Sequence, residues 1–294
     1  MQISANGIAL EVEDHGSPNG EPLLLIMGLG MQLVAWHADF VASLVARGYR
    51  VIRFDNRDIG LSQRLDHLGV PNLAVESMKY AVGMKVHAPY SVADMADDAA
   101  ALLDVLGIPA AHICGASMGG MIAQQLAVRH PERVKSLTLM MTTTGSRRLP
   151  GPTMKVRRAL ISKPDDPKAL DSVVDHYVKL YRLIGSPGYP APEADLKTRL
   201  NHSVRRSYRP QGTARQMVAI AADGNRSKLV EQIRVPTQVI HGKQDPLIPV
   251  AAGIDLAAKI PGAQIDLIDG MGHDLPVELW PRFVAGIDRA AARV

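Results

Sequence analysis

Residues 111–120 read Ala-His-Ile-Cys-Gly-Ala-Ser-Met-Gly-Gly, and the reading of this stretch decides the fold. A short apolar run, Ala111 to Cys114, arrives at Gly115-Ala116-Ser117-Met118-Gly119, and Gly120 to Val128 continue as a helix. A serine between two glycines at this interval, between a strand and a helix, is the G-x-S-x-G nucleophile-elbow pattern. So sharp a turn puts Ser117 in strained backbone geometry and favours hydrogen alone at Gly115 and Gly119. The hydroxyl is then lifted clear of the sheet edge, at a helix start whose free N–H groups favour developing negative charge. The competing reading is a glycine-rich turn with an idle serine, and the pentapeptide by itself does not exclude it.

The sequence on either side alternates strand with helix. Upstream, residues 8–13 read as a first strand. Pro22 to Met27 form a continuous apolar run, as in a strand buried on both faces. That run ends in the flexible loop Gly28-Leu29-Gly30. Residues 36–47 read as a helix closed by Gly48, and Tyr49 to Phe54 as a strand entering the polar turn Asp55-Asn56-Arg57-Asp58-Ile59-Gly60-Leu61-Ser62. A less regular piece covers 63–89. Ser91, with Asp94 three residues on, caps a helix that runs to Leu106. Downstream, Val134 to Met141 form another buried strand. Residues 236–241 and 263–268 add two more, and 276–291 a last helix. This order predicts an α/β fold with a mostly parallel central sheet flanked by helices. Right-handed crossovers then bring the loops after Met27, Phe54, Cys114 and Met141 to one edge, where open α/β sheets bind ligands.

From Gly145 the pattern changes. Residues 146–226 hold helical segments at 166–183, 194–207 and 212–222, broken by Pro and Gly, with no buried strand. We therefore expect a core of residues 1–145 and 227–294 with a helical lid, 146–226, inserted into it.

A serine hydroxyl is a poor nucleophile until a base removes its proton. His273, in Asp269-Gly270-Met271-Gly272-His273, follows a strand and lies on the predicted active edge. Asp245, in Gly242-Lys243-Gln244-Asp245-Pro246, follows the strand before it. The loop one strand earlier, Thr142-Thr143-Thr144-Gly145, offers no carboxylate. The order Ser117, Asp245, His273 is one known for such triads. His241 reads as a core histidine. An oxyanion hole needs two converging N–H donors, assigned to Met118 and, after Met27, to Leu29 rather than Gly30. Gly28, Gly30 and Met31 are expected to touch substrate, with Met31 and Met118 supplying adaptable thioethers.

Composition narrows the partners. The 294 residues suit one core with an insertion, and 47% hydrophobic content is ordinary for a globular protein. A single cysteine, Cys114, excludes an internal disulfide and suits a reducing compartment or indifference to redox state, and a cytoplasmic location is expected. No signal peptide and no membrane-length apolar run is recognised, and no motif argues for nucleic acid. Net charge is +4, but residues 146–215 hold 15 Lys and Arg against 6 Asp and Glu. That excess reads as a solvated helical surface, with steering of anionic substrates as the alternative.

On Met27-Gly28-Leu29-Gly30, Asp55 to Ser62, the elbow, Gly242 to Asp245 and Gly272-His273, the chain resembles the α/β-hydrolase superfamily over nearly its whole length. Within it the chain is most similar to the serine esterase branch, the aclacinomycin methylesterase group and neighbouring bacterial carboxylesterases. Met27 stands where many members carry histidine. The resemblance implies a hydrolase of small-molecule carboxylic esters, acting through an acyl-enzyme without metal or organic cofactor. Lactonase, thioesterase, perhydrolase and carbon–carbon-bond hydrolase chemistry use the same triad. Haloalkane dehalogenases and epoxide hydrolases carry aspartate at the position of Ser117. A non-catalytic ligand receptor on the same fold is the rival from another class.

Overall fold

A computed structural model describes residues 1–294. In chain order the elements are β1 (Gln2–Ala5), β2 (Ile8–His15), β3 (Glu21–Ile26), α1 (Ala38–Val45), β4 (Tyr49–Phe54), α2 (Leu73–Ala81), α3 (Val92–Val105), β5 (Ala111–Ala116), α4 (Met118–Arg129) and β6 (Val134–Met140). They continue with α5 (Met154–Ile161), α6 (Leu170–Ile184), α7 (Glu193–Arg206), α8 (Pro210–Asp223), α9 (Ser227–Val230), β7 (Thr237–Gly242), α10 (Ala251–Lys259), β8 (Gln264–Ile268) and α11 (Trp280–Ala291). The strands form one sheet in the order β1-β2-β4-β3-β5-β6-β7-β8. The β1–β2 and β2–β4 pairings are antiparallel; every pairing from β4 to β8 is parallel.

The continuous apolar runs are explained by burial on both faces. Leu24 and Ile26 of β3 point into a core shared with α3 and α4, and Leu23 and Leu25 into one shared with α1 and α11. α3 starts in a capping box: Ser91 Oγ accepts from the Asp94 amide at 3.0 Å, and an Asp94 carboxylate oxygen accepts from the Ser91 amide at 2.7 Å. The parallel strands deliver the loops after β3, β4, β5, β6, β7 and β8 to one edge. α5 to α8 lie between β6 and β7 in sequence, and α6 and α7 close a small core of their own with Val174, Val178, Leu196 and Leu200.

The structure corrects several boundaries. The elbow helix begins at Met118, directly after the serine, because Gly120 is already within the first turn. Residues 33–35 form a separate 3-10 turn, so α1 starts at Ala38. α2, inside the stretch read as irregular, and α5 are additional helices, as is α10. α2 rests on α8 and α5 on α6, but α2 buries none of its residues and α5 only Val156.

Candidate active site

Ser117 sits at φ +55°, ψ −119°, a left-handed conformation that L-residues avoid. The surroundings enforce it. The Ser117 amide donates to the Met140 carbonyl at 2.9 Å, and Thr142 Oγ1 donates to the Ser117 carbonyl at 2.7 Å. A Cβ on Gly115 would lie 2.3 Å from the Gly119 carbonyl oxygen, and one on Gly119 2.0 Å from that of Ile26. Both glycines therefore let strand, turn and helix approach closely.

His273 bridges the serine to an acid. Its Nε2 is 3.0 Å from Ser117 Oγ, and its Nδ1 is 2.7 Å from Asp245 Oδ2. The other carboxylate oxygen, Oδ1, accepts from the Leu247 and Ile248 amides at 2.9 and 2.8 Å. Those bonds fix the carboxylate, so Nδ1–H donates to Asp245 and Nε2 is free to accept from the serine. His241 lies beside this relay, its Nε2 3.7 Å from Asp245 Oδ2, but is bonded elsewhere. Its Nε2–H donates to the Ile248 carbonyl at 2.8 Å, and its buried Nδ1 has no partner. Burial pushes its pKa down, and it is held as a neutral core imidazole.

The loop after β3 faces the serine. A Cβ on Gly28 would lie 3.1 Å from the Ser117 Cβ. The Gly30 amide is spent on Gln216 Oε1, at 2.9 Å, whereas the Leu29 amide has no protein partner. Met118 is the first residue of α4, where an amide has no acceptor one turn back. Leu29 and Met118, in the two segments that flank Ser117, therefore both have amides without a protein acceptor.

The Asp55–Ser62 turn, read in sequence as a polar turn that shares in the family resemblance, ties this loop to the rest. Asn56 Nδ2 donates to the Met27 carbonyl at 2.8 Å, and Asp55 accepts from the Leu33 and Leu61 amides at 2.7 and 2.8 Å. Arg206, at the end of α7, reaches Asp55 Oδ2 at 2.7 Å, and Arg215 of α8 grips Asp58 with Nε and Nη2 at 2.5 and 2.8 Å. Both side chains of the Arg215–Asp58 pair are 1% exposed. Burial raises the Asp58 pKa, but the Arg215 guanidinium outweighs it and holds the carboxyl below its ordinary value. Asp55 shows the opposite balance, with burial raising its pKa against the bonds from Leu33 and Arg206.

The histidine loop is clasped by the chain leaving α6. The His273 amide donates to the Ile184 carbonyl at 2.7 Å, the Gly272 amide to Ser186 Oγ at 2.8 Å, and the Gly188 amide to the Gly270 carbonyl at 2.9 Å. Ser186 Oγ in turn donates to Asp274, whose pKa burial raises.

Above the serine lies a cleft of about 1940 Å³. Gly28, Leu29, Gly30, Met31, Ser117 and His273 are on its wall. Met118 is not: its side chain is fully buried beneath the sheet edge, and Met121 and Met141 line the cleft instead. Tyr181 hydrogen-bonds Met31 Sδ at 3.0 Å, and burial raises its pKa. Tyr177 stacks edge-on against Tyr208, and its pKa is pushed up to about 12, first by burial and then by Tyr208.

The sequence matches the family described as alpha/beta hydrolase fold over residues 21–278. The chain belongs to the α/β-hydrolase fold family. Among its relatives, rhodomycin D methylesterase DnrP of Streptomyces peucetius is 28% identical, over 97% of this chain and 95% of that one. The 2-hydroxymuconate semialdehyde hydrolase of Pseudomonas sp. (strain CF600) is 27% identical, over 97% and 90%. The solved esterase EaEST of Exiguobacterium antarcticum superposes with a TM-score of 0.75 at 21% identity, covering 99% of each chain. In this α/β hydrolase no group of three or more His, Cys, Asp or Glu side chains is arranged to hold a metal ion. No helix is long and apolar enough to cross a membrane.

Proposed function

We propose that the chain hydrolyses small-molecule carboxylic esters with Ser117 as nucleophile, His273 as base and Asp245 as its orienting acid. The observation that carries this reading is the continuous relay through His273, 3.0 Å to Ser117 Oγ on one side and 2.7 Å to Asp245 on the other. A strained serine held by Met140, Thr142 and two obligatory glycines is also hard to explain in a protein that only binds.

The chemistry follows the groups in order. His273 Nε2 takes the Ser117 proton as Oγ attacks the ester carbonyl carbon, and the carbonyl electrons move to oxygen. The Leu29 and Met118 amides donate to that oxyanion, each worth about 3–4 kcal/mol of barrier. Asp245 stabilises the imidazolium. The carbon–oxygen bond to the alcohol breaks, and the alcohol leaves with the His273 proton. Water, deprotonated by His273, then attacks the acyl-serine, and the acid and free serine are released. Gly28, Gly30 and Met31 contact the substrate, and residues 146–226 form a cap over it.

Methylesterase and esterase names among the relatives support the ester as substrate. The near-full-length 2-hydroxymuconate semialdehyde hydrolase keeps carbon–carbon cleavage by the same relay as a second reading. The test is turnover of p-nitrophenyl butyrate. Wild type should hydrolyse it, and Ser117→Ala should lose at least ~10⁴-fold in kcat. Equal, slow rates for both proteins would reject the enzyme reading. A panel adding a lactone, a thioester and a vinylogous β-diketone should favour the carboxylic ester.

A further inference from the structure

Large exposed apolar side chains are concentrated in two segments of this molecule. Met78, Val82 and Met84, on and just after α2, are 63%, 67% and 61% exposed, and Met154 and Ile161 at the two ends of α5 are 61% and 60% exposed. α2 packs on α8 and α5 on α6, and the chain leading into α5 joins them at the rim. Arg147 lies over the Tyr80 ring at 5.1 Å and donates to the Ala81 carbonyl at 3.0 Å. Both border the mouth of the active-site cleft, α2 through Leu73, Ser77 and Tyr80 and the α5 side through Pro152, Leu160 and Lys163.

The same rim is strongly cationic. Residues 147–163 carry Arg147, Arg148, Lys155, Arg157, Arg158 and Lys163 and no acidic residue. All six are exposed, and none has a carboxylate partner. Arg206 and Arg215, by contrast, are turned inward onto acids. A soluble surface that only needs hydration has no use for exposed methionines and valines among free cations. A surface that must satisfy both an apolar layer and negative charge does.

We propose that this rim docks on an anionic lipid bilayer, with α2 and α5 lying in the interface and the cleft mouth opening onto it. The cations meet acidic headgroups, and Met78, Val82, Met84, Met154 and Ile161 enter the headgroup–acyl boundary. Esters dissolved in the lipid then reach Ser117 along the apolar cleft without crossing bulk water. No helix crosses the bilayer; attachment is peripheral and salt-sensitive.

The test is co-sedimentation of the full chain with vesicles of phosphatidylcholine alone, or with about a third phosphatidylglycerol. None of the substituted residues below lies on the cleft wall. Wild type should bind the anionic vesicles, bind neutral ones at least ~10-fold more weakly, and release in about 0.5 M salt. Arg148→Gln, Lys155→Gln and Arg158→Gln together should weaken binding ~100-fold, at about fivefold per cation. Met78→Ser with Met84→Ser should also weaken it at least ~10-fold, with p-nitrophenyl butyrate turnover in buffer unchanged. Failure of wild type to bind anionic vesicles would overturn the proposal, as would binding indifferent to the methionine changes, which would reduce the rim to a polyelectrolyte. A concentration-dependent dimer that Met78→Ser abolishes, without vesicle binding, would assign the face to a second copy and also overturn it. The binding readout is independent of catalysis, so its failure is distinct from failure of the hydrolase reading.

Discussion

The two walls of the cleft are built in opposite ways. The α7–α8 wall is fastened to the sheet edge by buried charge: Arg206 on Asp55, Arg215 on Asp58, and Gln216 on the Gly30 amide and the Arg57 carbonyl. The α2–α5 wall buries Val156 alone, and the cations of residues 147–163 have no carboxylate partner, whereas Lys79 on α2 pairs with Glu76. The fastened wall touches the Gly28–Gly30 loop beside Ser117; the open wall borders the cleft mouth. Buried polar fastening is concentrated beside the proposed reacting groups, and exposed apolar surface at the cleft mouth.

The largest contrast to break is in stability. Arg215→Met leaves Asp58 buried without its partner and should destabilise by about 3–5 kcal/mol in urea unfolding. Asp58→Asn in the same chain should recover much of that, since it removes the stranded charge. Met78→Ser on the open wall should stay within about 0.5 kcal/mol of wild type. Equal effects on the two walls would erase the distinction.

Catalysis sharpens it further. Gln216→Ala frees the Gly30 amide and loosens the oxyanion loop without touching the serine. We expect kcat to fall ~10–100-fold with a smaller change in KM. Ser186→Ala opens the clasp on the histidine loop and should lower kcat ~10-fold, with Ser186→Thr restoring at least about half of the activity. Native-state hydrogen exchange should find the amides of α2 and α5 opening well before those of α8.

The smallest effect is a pH slope. Burial holds His112, His176 and His241 below the ordinary histidine value of 6.5, so the unfolded chain binds protons more readily. Stability should fall as pH drops below about 6.5 and level off above it. His241→Gln should flatten part of that slope in unfolding measured across the range.

How much of this was legible follows the range of the interactions. Leu23 to Ile26 announce a doubly buried strand because both faces of one segment carry the signal. Ser117, Asp245 and His273 could be chosen from local context, each in a glycine- or proline-marked loop after a strand. The four-residue β1 gives too short a pattern to register, and α2 and α5 are short helices that rest on α8 and α6 while burying almost nothing. The fastening of the α7–α8 wall was hidden for another reason. Arg206 and Arg215 sit in a basic stretch that reads as a hydrated surface, and their acids lie about 150 residues away in sequence. Ser186 and Asp274 are likewise 88 residues apart, and neither stretch marks the other.

The central claim is that His273 activates Ser117 through the Asp245-anchored relay. The most direct measurement is intact-mass and peptide mapping after treatment with an activated phosphonate ester, which phosphonylates an activated serine. One adduct per chain on the Ser117 peptide, formed at least ~10³-fold more slowly in His273→Ala, is the result this account predicts. An adduct elsewhere, or labelling of Ser117 undiminished by His273→Ala, would contradict it.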